Sequence, residues 1–133
     1  MDRVFLDANV LFSAAYEELS GLSRLWRLTN TERLTSTYAV EEARRNLHTA
    51  QQRDRLDRLL EGLTIVAEAP RERALPPGVT MPRKDHPILL AAIEAKATHL
   101  LTGDQAHFGA HYGRKLAGVL VLRPAAYLRD RPR

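Results

Sequence analysis

The 133-residue chain contains no cysteine. That excludes a disulfide framework and every zinc or iron–sulfur site built on thiolates. Long apolar runs are also missing: none approaches the ~18–20 residues needed to span a bilayer. The opening Met1-Asp2-Arg3-Val4-Phe5-Leu6-Asp7 is too short in apolar residues for a secretory signal. These absences predict a soluble, cytoplasmic protein with no membrane association. Aromatics make up only 6% of the chain. Trp26, Tyr38 and Tyr112 form no recognisable platform for stacking bases. There is no internal repeat and no low-complexity tract. Lysine is scarce, with 17 Arg against 3 Lys, so the cation that prevails is the one suited to bidentate phosphate contact. Skewed codon usage explains the same excess.

What is present fits one compact domain covering residues 1–133, since domains cluster near ~100–150 residues. Hydrophobic residues make up 44% of the chain. Short apolar runs read as buried strands at Val4–Leu6, Leu34–Thr37, Leu63–Val66, His99–Thr102 and Val119–Val121. Between them, helical spacing predicts helices over Val10–Tyr16, Leu19–Leu28, Tyr38–Thr49, Gln51–Leu60, Asp85–Ala97, Asp104–Phe108 and Pro124–Leu128. Residues 69–84 hold Pro70, Pro76, Pro77, Gly78 and Pro82 and read as a long functional loop or lid. Alternating strands and helices predict a parallel α/β sandwich.

In such sheets ligands bind beyond the carboxyl ends of the strands. Asp7 follows the first strand and Asp104 the fourth. Asp85 opens the helix leading into the fourth. Glu42 lies one turn into the helix after the second strand, beside its apolar stripe. Each has an ordinary reading. Asp85 and Asp104 suit helix N-caps, Asp7 an Asx turn before Val10, and Glu42 a solvated helix face. Together at one rim, four like charges are costly unless a cation offsets them. Carboxylates without thiols favour Mg²⁺ or Mn²⁺, one or two ions. Such ions make hydroxide available near neutral pH and offset charge on a phosphoryl group, so phosphodiester hydrolysis is the expected chemistry.

Several side chains flank this set. Ser36 is near the site by position. Arg44, Arg45, Arg83 and Lys84 are candidate RNA contacts, although Arg45 is a turn-neighbour of Glu42 and could pair with it instead. Arg53, Asp54, Arg55, Asp57 and Arg58 read as an exposed helix face. His107 reads either as a contact to substrate or leaving group, or as a surface residue. His107 and His111 have the spacing of a helical zinc pair, but Gly109 and Gly113 argue against a helix there.

At this point the residues resemble a family. Val4-Phe5-Leu6-Asp7-Ala8-Asn9-Val10-Leu11 is similar to the opening motif of PIN-domain nucleases. Ser36 to Leu47, with Glu42 as its acid, resembles the second motif. Lys84-Asp85-His86-Pro87 resembles the third. Leu100-Leu101-Thr102-Gly103-Asp104, with His107-Phe108, resembles the fourth. The last strand and the helix from Pro124 also look like the family's ending, so the resemblance covers essentially the whole chain. It implies a three-layer α/β/α sandwich with a five-stranded parallel sheet in the order 3-2-1-4-5. It implies metal binding by Asp7, Glu42, Asp85 and Asp104, with Asn9 and Thr102 as supporting polar residues. It also implies a VapC-type toxin: a Mg²⁺-dependent endoribonuclease, usually a homodimer, inhibited by a small cognate antitoxin. One departure is Ala106, where many members carry a further acid. Two alternatives remain at this stage. One is a PIN-like RNA- or protein-binding domain without nuclease activity. The other is a Mg²⁺-dependent aspartyl phosphotransfer module, disfavoured because none of Lys84, Lys96 and Lys115 follows a strand end.

With those four acids in one pocket, 20 basic residues face 12 remaining acidic ones, a balance of +8 behind a net charge of +4. The expected picture is an acidic pocket within a basic periphery.

Overall fold

In a computed structural model, which describes residues 1–70, 72–129 and 131, the chain forms a mixed six-stranded sheet with helices packed on it. Strand β1 is Asp2–Leu6, β2 Thr31–Ser36, β3 Thr64–Val66, β4 His99–Leu101, β5 Lys115–Leu116 and β6 Val119–Leu122. Their order is β3-β2-β1-β4-β6-β5. The first five in that order pair in parallel. The expected five-stranded order is therefore present, with one correction. Lys115–Leu116 adds an antiparallel edge strand to β6. It is two residues long, too short for any periodicity, and its hairpin turns through Ala117 and Gly118, both at positive φ.

The helices are α1 Ala8–Tyr16, α2 Thr37–Asn46, α3 Ala50–Leu60, α4 His86–Glu94, α5 Gln105–Phe108 and α6 Pro124–Arg129. Right-handed crossovers put α1, α2 and α3 on one face and α4 and α5 on the other, because the chain reverses its direction across the sheet between β1 and β4. That reversal is the switch point where a crevice opens at the strand ends. The strands feeding it are sealed: Val4, Phe5, Leu6, Leu100 and Leu101 are all buried. Burial of such side chains, at about 1.5–3 kcal/mol each, fixes the ends from which the site projects.

The helices differ from the sequence reading in several places. Leu19–Leu28 is not an α-helix; Gly21–Arg27 is 3-10, capped by the Ser20 hydroxyl. Its apolar side chains still face inward, Leu25 fully, and Trp26 Nε1 donates to Leu59 O. The helix predicted to reach Thr49 ends at Asn46, because Thr49 instead caps α3 in a reciprocal pair with Gln52.

Helix α4 stops three residues before the predicted Ala97. Lys96 N donates to Ile93 O and Ala97 N to Ala92 O, with Lys96 at φ 57°. This is a Schellman ending with lysine where glycine is usual. Lys96 is exposed. Lys96→Gly is expected to stabilise the protein by about 0.5–1 kcal/mol, the left-handed penalty less the entropy glycine adds to the unfolded chain. Urea unfolding checks this, through a higher midpoint at an unchanged slope.

Candidate functional site

The crevice at the switch point is a cleft of about 370 Å³ lined by Asp7, Ala8, Asn9, Phe12, Glu42, Asn46, Asp85 and Asp104. All four acids picked out in the sequence meet there.

Asp7 is the deepest, 4% exposed at the end of β1. One carboxylate oxygen, Oδ1, accepts from Ala8 N at 2.6 Å. The other, Oδ2, accepts from Thr102 Oγ1 at 2.8 Å and Asn9 Nδ2 at 3.1 Å. Thr102 Oγ1 in turn accepts from Asp104 N and Asn9 Nδ2, while Asn9 Oδ1 accepts from Gly103 N at 2.7 Å. One hydroxyl thus ties the ends of β1 and β4 together. Burial pushes the Asp7 carboxyl up to about 6, opposed by the hydrogen bonds from Thr102 and Ala8 and reinforced by the charges of Glu42 and Asp85.

Thr102→Val keeps the shape and removes this junction. It leaves the Asp104 amide without its acceptor and Asp7 with one donor fewer. The expected cost is about 1–3 kcal/mol. The Asp7 carboxyl should also titrate at higher pH than in the native chain, which carbon-detected NMR of the carboxyl reads directly.

Asp85 is also buried, 8% exposed. Its predicted N-cap role is not what the side chain does: it makes no capping bond to α4. Residues 83–85 form a 3-10 turn that carries the carboxylate toward α5, and burial raises its pKa. Asp104 does cap α5, accepting from His107 N at 3.2 Å. Glu42 is half-buried on α2 and carries no capping or ion-pair role among the described residues.

The flanking residues divide. Ser36 is not part of the cleft; its buried hydroxyl caps α2, accepting from Ala39 N. Arg44 pairs with Asp57 at 2.9 Å, so this guanidinium is engaged within the protein and Asp57 is not simply solvated. Arg45 is exposed and makes no ion pair with Glu42 among the described residues. Arg83 and Lys84 are exposed on the turn before Asp85. Tyr38 Oη donates to Lys84 O at 2.7 Å, anchoring that turn to α2. His107 is drawn into the acidic cluster, its Nδ1 2.9 Å from both Asp85 and Asp104. His111 is separate: its buried ring meets Thr80 O through Nε2 and fastens the Pro-rich loop, so the two histidines form no zinc pair.

Phe12 and Asn46 were not singled out as site residues from sequence. Each has a positional signal: Phe12 lies one turn after Ala8, and Asn46 one turn after Glu42, donating to its carbonyl.

The donor set fits a hard divalent cation. Four carboxylates share one cleft, and Asp85 Oδ2 is buried with no hydrogen-bond partner among the described residues. His107 Nδ1 lies 2.9 Å from it without making a hydrogen bond, and a cation would satisfy this oxygen.

Comparisons with known proteins agree with this architecture. No curated protein matches the sequence significantly. Among solved structures, the crystal structure of VapBC2 from Rickettsia felis bound to a DNA fragment from its promoter is similar in fold. It has a TM-score of 0.66 and 16% identity, covering 91% of this chain and 98% of that one. A family model described as PIN domain matches residues 3–106. That span runs through β1 to α5 and takes in all four carboxylates; the chain belongs to the PIN domain family.

Proposed function

We propose that this protein is a Mg²⁺- or Mn²⁺-dependent endoribonuclease and the toxin of a toxin–antitoxin pair. The observation that carries the reading is the convergence of Asp7, Glu42, Asp85 and Asp104 on one cleft. These four carboxylates would hold one or two divalent ions. Held there, such an ion would supply a nucleophile by lowering the pKa of water and would offset charge on the phosphoryl oxygens. The protein's own part is positioning. Thr102 and Asn9 fix the Asp7 carboxylate, and the Tyr38–Lys84 bond fixes the turn that presents Asp85. Arg45, Arg83 and Lys84 are exposed beside these elements and would hold the RNA backbone.

The partner reading has its own support. Phe12 lines the cleft and packs against Tyr16, ring centres 5.3 Å apart, and Tyr16 and Leu19 are exposed. An antitoxin would cover this apolar strip and place an Arg or Lys in the acidic pocket. The fold is shared with VapBC2. Homodimerisation and a cytoplasmic location follow the same reading; no helix among the described residues is long and apolar enough to cross a membrane.

The test is cleavage of labelled RNA by the purified chain. Cutting should require Mg²⁺ or Mn²⁺ and stop in EDTA. Persistent cutting in EDTA would refute the metal mechanism. Binding of RNA without any cutting would favour the binding-module alternative, and a stable acyl-phosphate formed from a small phosphodonor would favour phosphotransfer.

A further inference from the structure

His107 stands where two carboxylates converge. Its Nδ1 lies 2.9 Å from Asp85 Oδ2 and 2.9 Å from Asp104 Oδ2. All three donor atoms lie within 4.8 Å of one another. Neither contact has hydrogen-bond direction: His107 Nδ1 and Asp85 Oδ2 are both buried atoms without a hydrogen-bond partner among the described residues. One N–H could at most be shared between the two carboxylate oxygens. The arrangement is held in place from the backbone. Asp104 Oδ1 is occupied as the cap of α5, accepting from His107 N, which leaves Oδ2 facing the ring.

The spacing matches a coordination shell. Adjacent ligands of an octahedral cation at about 2.1 Å stand about 3.0 Å apart. Two 2.9 Å separations meeting at one nitrogen are two such edges. We propose that His107 Nδ1 is a nitrogen ligand of the cation site, together with Asp85 Oδ2 and Asp104 Oδ2, and that this mixed donor set selects Mn²⁺ over Mg²⁺. The inference rests on the divalent-cation reading above. Mg²⁺ favours an all-oxygen shell, whereas imidazole suits first-row transition ions. The liganding tautomer carries its proton on Nε2.

Mn²⁺ titrated into the full chain at neutral pH, followed by electron spin-echo spectroscopy, tests this without reference to activity. The expected result is nitrogen modulation from a directly bound imidazole, lost in His107→Gln. Mn²⁺ affinity should fall about tenfold in that variant while Mg²⁺ affinity changes less than about threefold. Mn²⁺ bound without nitrogen modulation, or modulation that survives His107→Gln, overturns the inference and leaves the carboxylate site standing. No Mn²⁺ binding by the folded chain overturns both. If the variant does not fold, absence of nitrogen modulation in the native chain still refutes the assignment.

Discussion

The Asp7→Asn protein is expected to lose RNA cleavage by about 10²–10³-fold or more while becoming harder to unfold in the absence of metal. The two effects have one cause. Asp7 is the most buried of the four acids, and its charge is the one the cleft most resists. Asn keeps an oxygen for the Ala8 amide and removes the charge that a cation would need. Its amide nitrogen takes the place of the oxygen that accepts from both Thr102 Oγ1 and Asn9 Nδ2, so two hydrogen bonds are lost and offset part of the gain from removing the charge. The net expectation is a gain of about 1–2 kcal/mol, or several degrees in melting temperature for a domain of this size. Calorimetry in EDTA beside a cleavage assay checks both halves. A variant that is inactive and also less stable would mean that Asp7 serves the fold rather than the site.

Asp7 should make the metal-free protein more stable as pH falls from 7 toward 4. His99, whose pKa is lowered by burial, acts the other way below its ordinary 6.5. A carboxyl that holds its proton up to about 6, instead of the usual 3.8, makes the folded state the better proton binder in that interval. Its contribution is therefore fully present below the unfolded value and is lost as pH rises through about 6. With Asp7 almost wholly buried, the difference is on the order of 3 kcal/mol. Asp85, also raised by burial, acts in the same direction. Asp2 acts oppositely: the Tyr127 hydroxyl leads the causes that lower its pKa, so its contribution is lost only in stronger acid, below its ordinary value. Cation binding reverses the trend, since the ligands must be deprotonated, and Mn²⁺ affinity should fall as pH drops below 6. Urea unfolding between pH 4 and 7.5, with and without Mn²⁺, reads both slopes. The metal-free slope should flatten in Asp7→Asn, and an unchanged slope there would assign the effect to other groups.

Much of the fold was legible because it rests on short apolar runs and turn chemistry. Val4–Leu6 and Val119–Val121 had to be buried strands, and Pro87 with an apolar run had to open a helix. The failures were local. A stretch with three leucines and a tryptophan at helical spacing formed a 3-10 segment, because burying Leu25 does not require α geometry. Helix α4 ended on a lysine in a left-handed conformation, for which the sequence carries no signal. At the site, Asp7, Glu42, Asp85 and Asp104 were found because parallel strands deliver their ends to one edge. What spacing could not reveal was which polar groups are already engaged. Ser36 is taken up by Ala39 N and Arg44 by Asp57, whereas Asp85 stands at a cap position and caps nothing. His107 was open between site and surface. The fold brings its ring against both carboxylates.

The most direct test of the central claim is a crystal structure of the chain soaked in Mn²⁺, read by anomalous scattering. A peak is expected in the cleft at coordination distance, about 2.0–2.6 Å, from oxygens of the Asp7, Glu42, Asp85 and Asp104 set. A well-ordered cleft with no peak at saturating Mn²⁺, in chelator-free crystals near neutral pH, would contradict it.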